Sequence, residues 1–332
     1  MGVSTKSFIN VKEACNNKIR EVIILSVSTN VPIIVCASDN NFAMPLTVML
    51  KSIVTNLKKY DHIIVYILDG HIAESSKELI KESLSSSHII INWINIDNDE
   101  IKDMKTSASF IDKYNNKFNK VKDKPQFTLA TYYRLLIPKL LPESVKKVIY
   151  LDCDTIVLND ISDLWDQDVE NHYLLAVPDM WTEAMYVSSP YGLKLYKELN
   201  IPAENKYFNA GVLVLNLEKW RDDDIASKII DYIRRYREYV LWLDQDGMNA
   251  ILSGKWGELN PLWNVMTILY KYRSWNESSF DKETFDKLIE SPYILHFTEE
   301  KKPWHNDSNH PKRKLFFDYL NLTSWNYPHP EV

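Results

Sequence analysis

The segment Val148-Ile-Tyr-Leu-Asp-Cys-Asp-Thr-Ile-Val157 holds the residues best placed for chemistry. An apolar strand runs straight into two carboxylates, Asp152 and Asp154, separated by Cys153. Residues i and i+2 of an extended chain project from one face, so both acids can turn toward a single cation. Carboxylate oxygens suit hard ions such as Mg²⁺ or Mn²⁺, and a substrate diphosphate would complete the shell of such an ion. Two acids ending a strand can equally do no more than face water. Cys153 points to the opposite face in this geometry and reads as a small buried apolar residue, neither nucleophile nor ligand.

Glycine use narrows how a nucleotide could be held. The chain has only seven glycines, and no Gly-x-Gly-x-x-Gly can be built from them. Gly247 and Gly254-Lys255 are wrongly spaced for a phosphate loop, and Trp256 stands where that loop needs Ser or Thr. A metal on Asp152 and Asp154 is then the remaining way to neutralise nucleotide phosphates. Composition fits a soluble globular chain of 332 residues, 45% apolar and 25% charged. A net charge of −6 and the lack of a basic stripe argue against nucleic-acid binding. The start Met1-Gly-Val-Ser-Thr-Lys-Ser lacks the apolar core of a signal peptide, and runs such as Val212-Leu-Val-Leu215 are too short to span a bilayer. Cys15, Cys36 and Cys153 are too few for a disulfide framework and lack metal-site spacing, which points to a reducing cytoplasm.

The elements that must position the acids alternate. Strands are expected over 31–37, 62–68, 88–96, 173–177, 209–216 and 293–297. Helices are expected over 46–54, 73–84, 128–140 (carrying Arg134) and 217–239, with a short one opening near Trp242. Such alternation predicts an α/β domain with a mostly parallel sheet and ligands at the carboxyl ends of its strands, where Ser38 to Asn41 and Asp152 to Asp154 both fall. Residues 97–127 are polar and weakly periodic and read as a lid. The first 30 residues read as an appended helix and strand, 31–305 as one domain, and 306–332 as a partly helical tail.

Several segments in this order resemble the family 8 glycosyltransferases, which include lipopolysaccharide galactosyltransferases and glucosyltransferases, and glycogenin. They are Ala37-Ser-Asp-Asn40, Thr131-Tyr-Tyr-Arg-Leu135, Tyr150-Leu-Asp-Cys-Asp-Thr155, Tyr207-Phe-Asn-Ala-Gly-Val212, Leu243-Asp-Gln-Asp-Gly-Met-Asn249 and His296-Phe-Thr-Glu-Glu-Lys-Lys-Pro-Trp304. The resemblance implies a GT-A fold, a single Rossmann-like nucleotide-sugar domain, and Mn²⁺-dependent (Mg²⁺ being the alternative) retaining transfer of glucose or galactose from a UDP-sugar. It implies Asp152, Asp154 and His296 as metal ligands. Ser38, Asp39, Asn40, Arg134, Asn209, Gly211 and Lys302 join Asp152 and Asp154 as donor-binding residues, with Cys153 included as the middle of that motif. Asp244 and Gln245 match the pair near the transferred sugar, and Asp179 an acceptor-side acid. Because Gln245 is a poor nucleophile, front-face transfer is expected over a covalent intermediate, with Asp244 or Asp246 the alternative nucleophiles.

One position departs from the pattern. Glu299 stands three residues after His296, where the family has a glycine beside the phosphate, and its charge would oppose a diphosphate. The acceptor is expected to be a saccharide or a lipid- or protein-linked glycan, and the setting cytoplasmic, including the inner face of the membrane. The tail's Lys312-Arg-Lys-Leu-Phe-Phe317, Tyr319, Trp325 and Tyr327 could touch that membrane or pack as a short helix on the domain. Alternatives are glycogenin-like self-glycosylation, a degenerate sugar-nucleotide scaffold, and a haloacid-dehalogenase-type phosphohydrolase; the last is disfavoured by Ile156, two residues after the second acid.

Overall fold

The computed structural model describes residues 31–85, 88–96, 98–104 and 128–327. The N-terminal extension, most of the expected lid and the last five residues of the tail lie outside the described residues. Near-continuous Ile, Val and Leu runs make β1 (Ile33–Asp39) and β2 (Ile63–Gly70) buried along almost their whole length. That is the pattern of parallel strands covered on both faces. Helices α1 (Ala43–Asn56) and α2 (Glu74–Leu84) supply cover, and β3 (Ile89–Asn95), only half-buried, forms one edge. The chain continues through α3 (Tyr133–Leu140), β4 (Lys147–Leu151), β5 (Thr155–Val157), α4 (Ser162–Trp165), β6 (Leu174–Pro178) and β7 (Phe208–Asn216). It then forms α5 (Leu217–Asp222), α6 (Ile225–Arg235), α7 (Asp244–Leu252), β8 (Gly257–Glu258), β9 (Val265–Met266), α8 (Lys282–Glu290), β10 (Ile294–His296) and α9 (Arg313–Leu320).

Seven strands form one sheet in the order β3-β2-β1-β4-β7-β6-β8, and only β7 runs against the rest. A second sheet, β5-β10-β9, stands at the carboxyl end of β4. This is the expected α/β architecture with a mostly parallel central sheet. The antiparallel insertion of β7 matters for function: it brings its own starting residues to the end of the sheet where β4 and β6 finish.

Two expected helices are broken. The stretch 217–239 divides at Asp223 and Asp224, where Asp224 adopts φ 47° in the left-handed region. Three successive acids, Asp222 to Asp224, meet the negative end of α5 there, and Asp tolerates that backbone conformation. Over 128–140, Leu129–Tyr132 is a 3-10 turn and the α-helix begins only at Tyr133.

The tail packs inward. Phe316, Phe317 and Leu320 of α9 are buried against Met44, Val48, Leu295, Phe297 and Trp304. Trp325 Nε1 donates to Thr47 Oγ1 at 2.8 Å, and the Tyr327 hydroxyl to the Trp304 carbonyl at 3.0 Å. Of the aromatic residues that could have met a membrane, Phe316 and Phe317 are buried and Tyr319, Trp325 and Tyr327 pack half-buried against them, as a short helix folded onto the domain requires. No described helix is long and apolar enough to cross a membrane. Truncating Phe316 should leave a cavity beneath β10, and Phe316→Ala should cost about 3–5 kcal/mol in urea unfolding. A midpoint equal to that of the native chain would mean that α9 does not pack as described.

Candidate functional site

Asp152 and Asp154 do not lie on an extended strand. β4 stops at Leu151 and β5 starts at Thr155, and Cys153-Asp154 is the turn between them. Backbone bonds, not strand pleating, set the two acids. The Asp152 N–H donates to the Gly211 carbonyl at 2.8 Å, the Phe297 N–H to the Asp154 carbonyl at 2.9 Å, and Thr155 Oγ1 to the Asp152 carbonyl at 2.9 Å. Cys153 faces away from the cavity, its thiol donating to the Ala37 carbonyl at 3.2 Å. Burial pushes that thiol well above its ordinary pKa, so it stays protonated and inert.

His296 ends β10, whose register sets it opposite Thr155. One ligand atom each from Asp152, Asp154 and His296 falls within 4.8 Å of the other two. His296 Nε2 is 3.3 Å from Asp154 Oδ1 and 3.9 Å from Asp152 Oδ2. Its other nitrogen, Nδ1, lies 2.9 Å from Asn264 Oδ1. The Asn264 amide nitrogen donates to Asn209 Oδ1, so the Asn264 oxygen is left to accept from Nδ1–H. That fixes the tautomer and turns the Nε2 lone pair toward the acids. Gly211 makes the approach possible: a Cβ there would stand 2.1 Å from His296 Cε1 and 2.8 Å from Asp152 Oδ2. Two carboxylates and an oriented imidazole nitrogen fit a hard divalent cation.

Each acid has its own cation. Arg134, 7% exposed, donates from Nη2 to Asp152 Oδ1 at 2.8 Å. Its Nε lies 3.0 Å from Asp244 Oδ2, and Nη1 donates to the Ala210 carbonyl. Burial opposes the guanidinium charge, but the two carboxylates outweigh it and hold the pKa above its ordinary value. The Tyr150 ring lies 4.4 Å beneath the guanidinium, and its hydroxyl also donates to Asp152 at 2.9 Å. The helix-surface fate usual for such an arginine is not the one realised. Lys302 Nζ meets Asp154 Oδ2 at 2.7 Å and the Phe297 carbonyl at 2.6 Å. Burial works against the Asp154 charge, yet Lys302 and His296 prevail and hold it well below the usual carboxylate range.

These groups line a cavity of about 500 Å³, within the usual range for ligand sites. Gln245 and Asn209 lie in its wall with their carbonyl oxygens already engaged. Gln245 Oε1 accepts from Asn209 Nδ2 at 3.2 Å and the Ala210 N–H at 3.0 Å, and Asn209 Oδ1 from the Gly211 N–H at 3.0 Å. Asp244 accepts from Thr131 Oγ1 at 2.9 Å and is ion-paired with Arg134, whose Nε donates to the Thr131 carbonyl at 3.2 Å; Asp244 opens α7 without capping it. Asp246 is not in the lining. Its carboxylate accepts from the Tyr207 hydroxyl and the Leu241 and Trp242 N–H groups. Asp179 does line the cavity, and burial pushes its pKa up to about 6 although the Trp181 N–H donates to it at 2.9 Å.

Ser38 and Asp39 end β1, Asn40 opens the 3-10 turn after it, and all three fall outside this cavity's lining. Asp39 Oδ1 accepts from the Asn41 and Phe42 N–H groups, and Asn40 Oδ1 from the Ala73 N–H and Ser76 Oγ. Glu299 does line the cavity, but it is ion-paired with Lys271. Lys271 and Asn264 escaped the sequence reading. Lys271 ends one 3-10 turn and Asn264 another, with no spacing that ties either to a motif.

The Glycosyl transferase family 8 model matches residues 33–308. The chain belongs to that family. General stress protein A of Bacillus subtilis (strain 168) is 31% identical over 296 residues, covering 88% of this chain and 94% of its own. Lipopolysaccharide 1,2-glucosyltransferase of Escherichia coli (strain K12) is 28% identical over 198 residues, 60% of this chain and 55% of its own. Among solved structures, the galactosyltransferase LgtC in complex with donor and acceptor sugar analogues superposes with a TM-score of 0.71. Its identity is 24%, covering 89% of this chain and 97% of that one, and the likeness establishes the fold. In this family 8 chain, Gly211→Ala should displace the His296 ring. Divalent-cation affinity, read by calorimetry, should fall roughly 10–100-fold with the melting temperature nearly kept. Unchanged affinity would separate His296 from cation binding.

Proposed function

We propose that this glycosyltransferase moves a hexose, glucose or galactose, from a UDP-sugar to a saccharide or a lipid- or protein-linked glycan, with retention at the anomeric carbon. Mn²⁺, or Mg²⁺ in its place, would be held by Asp152, Asp154 and His296. The observation that carries the reading is the three-ligand cluster in a cavity wall, each acid paired with one buried or half-buried cation. When bound, the ion supplies positive charge to the diphosphate as UDP departs. Lys302 adds a second positive charge beside Asp154 for the same developing negative charge. Arg134 holds Asp152 in position from below. Asn209 and Gln245, locked to each other in the cavity wall, would face the sugar, with the Gln245 amide also hydrogen-bonded to Asp179.

Front-face transfer is the favoured course. Asp244 is tied to Arg134 and Thr131, and Asp246 is turned away from the cavity, so neither is a ready nucleophile. The acceptor hydroxyl then loses its proton to the departing phosphate oxygen as its own oxygen bonds the anomeric carbon. Asp179, beyond Gln245, sits on the acceptor side. Lys271 supports a working site over a degenerate one, because it neutralises Glu299 where a diphosphate would otherwise be repelled. Residues 31–305 are proposed as the catalytic unit and 306–332 as a tail whose described part, to Tyr327, packs on it. Activity is placed in the cytoplasm, in keeping with the buried free thiols of Cys36 and Cys153.

The test is UDP release from UDP-glucose and, separately, UDP-galactose, each with Mn²⁺ and with EDTA. Metal-dependent turnover of one donor is expected, reduced at least 100-fold in Asp154→Asn. Turnover that persists in EDTA, or equally in the variant, would refute the metal-dependent reading. Intact mass after the reaction should be unchanged; a gain of hexose units would move the acceptor onto the chain itself.

A further inference from the structure

Between β10 and α9 the chain runs through turns and irregular backbone from Phe297 to Lys312, and Lys302 stands in this stretch. One turn fixes it locally. The His305 N–H donates to the Lys302 carbonyl at 2.9 Å, and the Lys302 N–H to His305 Nδ1 at 3.4 Å. A loop with so few internal bonds does little to oppose its own conformational entropy. Yet Pro303 and Trp304 are buried, and the Lys302 side chain is only 14% exposed. The restraint comes from outside the loop.

The tail takes the three consecutive carbonyls that follow Lys302. Arg313 Nε donates to the Pro303 carbonyl at 2.8 Å and Nη2 to the His305 carbonyl at 2.9 Å. Between them, the Tyr327 hydroxyl donates to the Trp304 carbonyl at 3.0 Å. One edge of a guanidinium presents Nε–H and Nη–H as a parallel pair, so Arg313 sets the spacing of its two acceptors. The anchor is itself fixed, with the Arg313 guanidinium over the Phe317 ring at 5.4 Å and Phe316, Phe317 and Leu320 buried. Trp304 extends the brace to the turn after β1. Its ring stands at 89° to Phe42 with centroids 5.8 Å apart, and the Phe42 N–H donates to Asp39. Arg313 and Tyr327 both lie beyond residue 308, where the family match ends.

We propose that Arg313 and Tyr327 are positioning residues for Lys302, holding the turn from which its amine meets the diphosphate of UDP. This rests on the transferase reading above and deepens it. Lys302 Nζ bonds Asp154 and the Phe297 carbonyl. To serve a diphosphate, the amine turns from Asp154 to a phosphate oxygen. With the three carbonyls held, the side chain makes that move while the backbone stays. The cost of ordering the loop then falls on folding and not on each encounter with UDP. Neither Arg313 nor Tyr327 lines the cavity, so their influence reaches UDP only through the turn.

The probe is UDP, which carries the charge that Lys302 is to meet, titrated by calorimetry in the presence of Mn²⁺. Arg313→Met keeps a long apolar stem beside Phe317 and should weaken UDP binding at least about fivefold. Affinity for Mn²⁺ without UDP should move less than about twofold, since Asp152, Asp154 and His296 are untouched. Tyr327→Phe removes a single hydroxyl and should weaken UDP binding about two- to threefold; it covers the case in which Arg313→Met does not fold. In a Lys302→Ala background, either change should cost less than about twofold more, because the amine it positions is gone. A general loosening of the fold would instead give the same loss in both backgrounds. The proposal is overturned by equal losses with and without the Lys302 amine, or by Mn²⁺ affinity falling alongside UDP affinity. It is overturned equally if folded Arg313→Met, or in its place Tyr327→Phe, binds UDP as the native chain does, or if the native chain binds no UDP. UDP binding with these losses but no turnover of either donor would sink the transferase reading and leave the positioning role standing.

Discussion

Two carboxylates and an imidazole must stand within 4.8 Å of one another for this site to exist, and the carboxylates repel. At about 4 Å, two like charges near a protein surface oppose each other by roughly 4 kcal/mol. The structure offsets that with two separate pairings, Arg134 for Asp152 and Lys302 for Asp154. Arg134 is buried, ion-paired with Asp244, hydrogen-bonded to the Ala210 carbonyl and set over the Tyr150 ring, so it acts as a fixed counter-charge. Lys302 comes from the loop after β10 and is the more adaptable of the two. Removing either leaves a carboxylate held near another without compensation.

The fold is arranged to satisfy this constraint. β7, the strand that runs against the rest of the seven-stranded sheet, delivers Gly211 under the imidazole and its carbonyl to the Asp152 N–H. The small sheet β5-β10-β9 delivers His296 to the turn that β4 feeds. A chain of side-chain hydrogen bonds then runs from Gln245 through Asn209 and Asn264 to His296. Through it the sugar side and the metal side of the cavity are joined by one hydrogen-bonded chain.

The longer strands and most helices were legible because buried parallel strands need continuous apolar runs and amphipathic helices need a 3.6-residue period, whereas β5, β8 and β9, of two or three residues, were not. The residues of the cluster were legible through motif resemblance, although the physical reason first offered for Asp152 and Asp154, strand pleating, was incorrect: a turn aims them. What escaped was built from long-range contacts. Asn264 lies 32 residues from the histidine it orients, and Lys271 pairs with Glu299 across a similar gap. Neither lies in a repeating pattern, so nothing local marks it. Arg134 and Gly211 were named as donor-binding residues, and the structure adds the Arg134–Asp152 ion pair and the close approach of His296 to Gly211. A buried ion pair and a missing Cβ show their purpose only when the neighbours are in place.

The central claim is that Asp152, Asp154 and His296 act together as one cation site. Electron paramagnetic resonance of free Mn²⁺, titrated with the protein in the presence and absence of UDP, tests it most directly. The account predicts one Mn²⁺ bound per chain, more tightly with UDP present, and loss of that binding in a folded Asp152→Asn variant. Equal binding by the native chain and the variant, or no binding by either with UDP present, would contradict it.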